Sequence, residues 1–222
     1  MRIGIAAEGV TDHAVIENII CGYFEDENLD QDISQLQPRL DSTSQSYTSG
    51  GWGNLVNFLR SKDFRDAVLS YDYLIVQIDT DISPRYDFGI PALQVNGPIH
   101  PNSYYNEVRN KLIDEINSGE QSFFQNNLDK IIFCICVHSL ECWLTPYHCD
   151  EGICIYSDCF NTLKDAISSN QNRPFEWSSL QKNRDRYLDA SDHFLELENI
   201  TAARSMHFSF DNFINDLDRI QL

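Results

Sequence analysis

The chain has 222 residues, 42% hydrophobic and 12% aromatic, which suffices for one large packed domain or one domain with an appended subdomain. Its 34 acidic residues against 16 basic ones give a formal charge of −18, which argues against a protein that grips nucleic acid with a broad basic face. No apolar run of about eighteen residues occurs, and Met1 leads into an apolar strand rather than a basic, hydrophobic leader, so a soluble, cytoplasmic protein without a membrane span is expected. Seven cysteines in such a compartment make a disulfide framework an unexpected outcome.

Residues 2–7 read as a buried strand ending on Glu8, after which Gly9 lets the backbone turn. Thr11 stands at the N-cap position of a helix over 12–24, and Val15, Ile19, Ile20 and Tyr23 recur at the spacing that packs one helix face on a sheet. The acidic run from Glu25 to Asp32 is expected to be a solvated loop. Gln35 to Leu40 is polar and holds Pro38, so if it is a strand it is an edge strand. Residues 42–53 form a Ser/Thr/Gly-rich loop ending in Gly50, Gly51, Trp52 and Gly53. There Trp52 either stacks on a base beside a phosphate backbone or packs beneath the next helix. That helix is expected over 54–70, with Leu55, Val56, Leu59, Val68 and Leu69 inward.

Residues 73–78 read as a strand that delivers Asp79 and Asp81. The following stretch to Pro101 holds prolines at 84, 91, 98 and 101, and a long loop placed directly after an acidic turn suits a substrate-covering role. Arg85 within it can meet a phosphate or pair with a nearby aspartate. A helix over 103–117 buries Val108, Leu112, Ile113 and Ile116. Residues 131–137 are the clearest strand, read as central and buried on both faces, with Cys134 and Cys136 as small core residues. The segment from His138 to Leu144 then starts a helix, with Ser139 as its cap, Trp143 and Leu144 in the core, and Glu141 on the acidic edge. His138 reads as a general acid, a partner of a ligand, or a structural histidine.

Past residue 150 the pattern is mostly helical, over 157–169 and 178–190, with a last amphipathic helix or helical pair over 202–219. Lys182, Arg184 and Arg186 are the densest basic cluster. They either meet substrate phosphates and transition-state charge or form an exposed face paired with Asp185 and Asp189. Cys142, Cys149, Cys154 and Cys159 with His148 read either as zinc ligands or as reduced structural thiols, and their spacing matches no short zinc knuckle.

If the first strand and the 73–78 strand are parallel neighbours, Glu8, Asp79 and Asp81 meet at the carboxyl edge of the sheet with Asp12 close by. Such carboxylates repel one another unless a cation sits among them, and oxygen-only ligands favour Mg²⁺ or Mn²⁺. Glu8 is placed to be either a ligand or a general base.

The order strand, Glu8, Gly9, x, Thr11, Asp12, followed about seventy residues later by strand, Asp79, x, Asp81, resembles the toprim domain of topoisomerases, primases and OLD-family nucleases. Ser139-x-Glu141-x-Trp143-Leu144 is similar to a signature of small stand-alone toprim-like proteins of bacterial defence and mobile-element loci. So is the closing segment Ala202-Ala203-Arg204-Ser205, with Phe208, Phe210, Phe213 and Leu217 after it. The resemblance implies an α/β toprim fold over 1–147: a Rossmann-like, mostly parallel central sheet flanked by helices. It implies a helical C-terminal extension over 148–222 that packs on the same core.

It further implies Mg²⁺ or Mn²⁺ held by Glu8, Asp12, Asp79, Asp81 and Glu141. Catalysis is expected from Glu8, Asp12 and Glu141, with Lys182 drawn from the basic cluster. The expected activity is hydrolysis of phosphodiester bonds in DNA or RNA, as the effector of an anti-phage defence or toxin-like system. An ATPase partner would deliver the substrate, which answers the acidic charge, and an oligomer stays open. No topoisomerase tyrosine and no primase or helicase module is legible. Two other readings stand beside this one: a metal-dependent phosphohydrolase or phosphotransferase of small phosphorylated molecules, and a non-catalytic interaction module of the same fold.

Overall fold

The computed structural model describes residues 1–41, 46–47, 50–82, 89–90, 101–149, 157–169 and 183–220. Strand β1 (Ile3–Ala6) runs into helix α1 (Val10–Tyr23), and a 3₁₀ turn over Glu27–Asp32 leads to β2 (Ile33–Gln37). A short antiparallel pair, β3 (Leu40–Asp41) and β4 (Ser46–Tyr47), precedes α2 (Trp52–Arg60), α3 (Lys62–Ser70) and β5 (Tyr73–Asp79). A 3₁₀ turn over Thr80–Ile82 is followed by α4 (Pro101–Gly119), α5 (Phe123–Asn126) and β6 (Ile131–Cys136). Among the described residues that follow are helices α6 (Glu141–His148), α7 (Cys159–Ser169), α8 (Arg184–Ala190), α9 (Leu197–Arg204) and α10 (Phe208–Leu217). Among the described residues no helix is long and apolar enough to cross a membrane.

The central sheet has four strands in the order β2-β1-β5-β6, all parallel, so the chain is an α/β protein with a Rossmann-like sheet flanked by helices. Alternation along each strand splits the apolar side chains between two layers. Ile3, Ile5, Ile75, Ile132 and Cys134 face α1 and the C-terminal helices, among them Phe210, Phe213, Ile214 and Leu217 of α10. Leu74, Val76, Ile78, Phe133 and Ile135 face the other layer, with Leu55 and Leu59 of α2, Val68 of α3 and Leu112 and Ile116 of α4. Residues beyond 148 therefore share one core with the first strand and helix. Truncating Phe213 to Ala there is expected to cost about 3–5 kcal/mol.

Several expectations are corrected. β6 is fully buried but stands at the end of the sheet, not at its centre. Among the described residues the α10 segment, and no further strand, meets its outer edge: Arg219 donates to the Ile131 carbonyl at 3.2 Å, and Asp216 accepts a backbone hydrogen bond from Phe133. The expected helix over 54–70 is two helices, broken at Ser61, whose hydroxyl caps Phe64 N–H at 3.3 Å. The break resets the helical phase, so Phe64 and Val68 turn inward and Leu69 is 67% exposed. β2 starts earlier than read and ends before Pro38, as a residue without a donor N–H requires. The 25–32 run is partly a 3₁₀ turn, capped by the Asp26 carboxylate on Asn28 N–H. α1 starts at Val10 on an extended Gly9, so Thr11 is buried within the first turn and caps nothing.

Candidate metal centre at the carboxyl edge of the sheet

β1 and β5 are adjacent and in parallel register, from Ile3 opposite Tyr73 to Ala6 opposite Val76, so their carboxyl ends deliver Glu8 and Asp79 to one place. The Glu8 carboxylate oxygen Oε1 accepts the Asp79 N–H at 2.9 Å. In return Glu8 N–H donates to Gln77 Oε1 at 3.0 Å, and Gln77 Nε2 donates to Asp79 Oδ1 at 2.8 Å. Leu140 N–H, from the turn after β6, reaches the same Asp79 oxygen at 3.1 Å. The two acids are thus positioned by neutral donors, which orient a carboxylate without cancelling its charge.

Two more acids lie in the same region. Asp12 lies in the first turn of α1 and is 3% exposed; Glu141 opens α6 and is 1% exposed. Asp79 itself is buried at the end of β5, and Glu8 is half-buried. Tyr187 of α8 donates its hydroxyl to Glu141 Oε1 at 2.5 Å. Burial, followed by the charges of Glu141, Asp12 and Asp79, pushes the Tyr187 phenol far above the ordinary range, so it stays protonated and acts only as a donor there. Burial likewise raises the Cys136 thiol, with Cys134, Asp79 and Asp12 adding to it, so this sulfur is a neutral neighbour and not a thiolate. Asp12 and Asp79 thus act on both groups, and Glu141 on Tyr187 as well.

The loop before α2 closes on Glu8 from outside. Gly51 N–H donates to the Glu8 carbonyl at 2.8 Å, and a Cβ on Gly50 would stand 2.3 Å from that oxygen, so only glycine fits. Trp52 packs against the core layer of α2, the second of its two sequence readings.

Of the residues expected at the site, Glu8 and Asp79 meet through the Asp79 N–H, and Asp12 and Glu141 lie buried in the same region, but among the described residues no three of these carboxylates bring oxygens within 4.8 Å of one another. Asp81 is exposed on the turn beyond Asp79 and is held there by its N–H on the His138 carbonyl at 2.9 Å. Lys182 lies outside the described residues, as do Arg85 and Cys154. Arg184 ion-pairs with Glu17 at 2.8 Å, neither on the site nor with Asp185 or Asp189. Burial pushes Glu17 up, but the His13 and Arg184 interactions outweigh it and leave this carboxyl below its usual range.

Ser139 does not cap α6: Leu140 takes the N-cap position, and the buried Ser139 hydroxyl has no partner in the structure. The expected all-reduced cysteines are corrected at one pair, because Cys142 and Cys159 form a disulfide. Cys149, half-buried, is not in a disulfide, and His148 meets the Ala190 carbonyl at 2.7 Å.

Two site residues escape the sequence reading. Gln77 left a signal, as a polar side chain in the middle of an apolar strand and 0% exposed. Tyr187 left none, because α8 reaches the edge only through the tertiary fold. Four carboxylates are oxygen donors of the kind a hard divalent cation takes, whereas the one set of three donor atoms within 4.8 Å of one another among the described residues is the nitrogen and sulfur set of His138, Cys142 and Cys159. Compared with protein-family models, curated proteins and solved structures, the chain matches none of them.

Proposed function

We propose that the chain is a toprim-type nuclease, dependent on Mg²⁺ or Mn²⁺, that hydrolyses phosphodiester bonds of DNA or RNA. The observation that supports this reading is that Glu8, Asp12, Asp79 and Glu141 lie at the carboxyl edge of a parallel sheet, three of them buried; a cation would have to draw their oxygens together, since among the described residues no three lie within 4.8 Å of one another. The strand-Glu-Gly-x-Thr-Asp and strand-Asp-x-Asp order supports the toprim resemblance, and the parallel adjacency of β1 and β5 supports it further. Glu8, Asp12, Asp79 and Glu141 would hold the cation, with Asp81 at the rim. A cation so held lowers the pKa of a bound water and stabilises charge on a phosphate oxygen.

The chain's own groups prepare that chemistry. Gln77 and the Leu140 N–H fix the Asp79 carboxylate, and Tyr187 fixes Glu141. Glu8 is the least buried of the four, which suits it to exchange a proton with solvent as the general base.

The charge of −18 leaves little electrostatic attraction for a polynucleotide, so a partner, proposed as an ATPase in an anti-phage defence or toxin-like system, would present the substrate. The same charge favours a second reading, a phosphohydrolase of small phosphorylated molecules. The deciding assay offers plasmid DNA, single-stranded DNA, tRNA and free nucleotides with Mn²⁺. Cleavage of a polynucleotide that falls about 10²–10⁴-fold in Glu8→Gln supports the proposal. Turnover of nucleotides alone selects the second reading, and cleavage unchanged in both Glu8→Gln and Asp79→Asn refutes the site.

A further inference from the structure

A second constellation lies on the other side of the same turn, made of nitrogen and sulfur instead of oxygen. His138, Cys142 and Cys159 bring one donor atom each to within 4.8 Å of one another. His138 Nδ1 stands 3.6 Å from Cys142 Sγ, and Cys159 is the partner of Cys142 in the disulfide. The histidine holds this position at a cost. Its φ is 70°, a left-handed conformation that side-chain-bearing residues mostly avoid. Three hydrogen bonds to the 80–81 turn hold it there: His138 N–H donates to Thr80 Oγ1 at 2.7 Å, and the His138 carbonyl accepts Thr80 N–H at 2.8 Å and Asp81 N–H at 2.9 Å. A disulfide alone has no use for an imidazole nitrogen aimed at its sulfur.

We propose that, once the Cys142–Cys159 bond is reduced, His138 Nδ1, Cys142 Sγ and Cys159 Sγ bind Zn²⁺, with a water in the fourth position. Tetrahedral zinc with its usual bond lengths sets nitrogen and sulfur about 3.5 Å apart and two sulfurs about 3.8 Å apart. The His138–Cys142 pair already has that separation, so only the Cys159 sulfur must draw back, on the first residue of α7.

The redox step balances with an external dithiol: its two sulfurs become a disulfide, and its two electrons and two protons convert the Cys142–Cys159 bond to two thiols. Zinc then displaces both thiol protons to solvent. Either form links α6 to α7. The zinc form also fixes His138, and through its backbone the turn that carries Asp81. This inference does not rest on the nuclease reading, since its ligands are separate from the carboxylates.

The test uses the full chain, reduced with dithiothreitol, freed of it anaerobically and titrated with Co²⁺ alone. A sulfur-to-cobalt charge-transfer band with tetrahedral d–d bands, saturating at one equivalent and absent from the oxidised protein, is the expected result. Cobalt on the carboxylates gives no such band, so the two centres are told apart. His138→Asn, which tolerates the left-handed backbone, should weaken the affinity more than about tenfold, while Cys149→Ser leaves it unchanged. Absence of the band from the reduced protein overturns the proposal. Equal affinity in His138→Asn, or loss of the band in Cys149→Ser, does so as well.

Discussion

The oxygen cluster and the sulfur cluster are built on one short segment, and they differ in how charge is handled. From residue 138 to 142 the side chains divide. His138 and Cys142, four apart, turn toward Cys159, while Glu141 and the Leu140 N–H serve Asp79 and Tyr187. The oxygen cluster gathers residues from the ends of β1 and β5, from α1, α6 and α8, and fastens them with neutral donors. The donors seen on these carboxylates are neutral and orient them without taking their charge. The sulfur cluster can satisfy itself without one, by forming a covalent bond between α6 and α7. One turn therefore carries a group of oxygen donors and a group of nitrogen and sulfur donors whose bonding depends on redox state.

Removing charge while keeping shape breaks this contrast most directly. Asp79→Asn retains an oxygen for the Gln77 and Leu140 donors, and Glu8→Gln retains one for the Asp79 N–H. Each variant should fold and lose about 10²–10⁴-fold in Mn²⁺-dependent turnover. Tyr187→Phe comes next. Losing the donor on Glu141 should lower Mn²⁺ affinity about 10–100-fold by calorimetry, whereas His138→Asn should leave it within about threefold. Equal effects from the two would merge the centres into one.

Glu115 is the control for a carboxylate that has its cations within the chain. It accepts from Arg60 at 2.5 Å and from Lys111 at 2.9 Å, joining α2 to α4. Burial pushes its pKa up, but the two cations outweigh that and leave it lowered. A depressed carboxyl contributes stability that is present above its unfolded pKa and is lost as pH falls through the folded one. Denaturant titrations should show that acid loss diminished in Glu115→Gln, which costs about 1–2 kcal/mol at neutral pH. Mn²⁺ binding should not change. Asp81→Asn is the smallest change, expected to cost less than about tenfold in turnover because this acid is exposed beyond the buried four.

Much of this edge could be read from sequence because its parts are local. An apolar run that stops on Glu8 and another that stops on Asp79 announce strand ends, and parallel pairing puts such ends together. Gln77 was readable in principle, since a polar residue inside a buried strand needs a partner. Tyr187 was not, because it meets Glu141 across 46 residues and by way of a separate helix. The disulfide was equally hidden, joining cysteines 17 apart that share no motif. Leu69 misled because a single helix phase was carried across Ser61. The end position of β6 was invisible for a related reason: burial on both faces marks a central strand only when nothing but strands can cover an edge, and here the α10 segment does so.

The most direct test of the central claim, that Glu8, Asp12, Asp79 and Glu141 together hold a divalent cation, is thermal unfolding with and without Mn²⁺ in the wild-type chain and in Asp79→Asn. Mn²⁺ at about a hundredfold excess over its Kd should raise the wild-type Tm by roughly 5–10 °C and leave the variant unmoved. The metal-free variant should melt no lower than the metal-free wild type. A wild-type Tm indifferent to Mn²⁺ and Mg²⁺, or an equal rise in Asp79→Asn, would contradict the account.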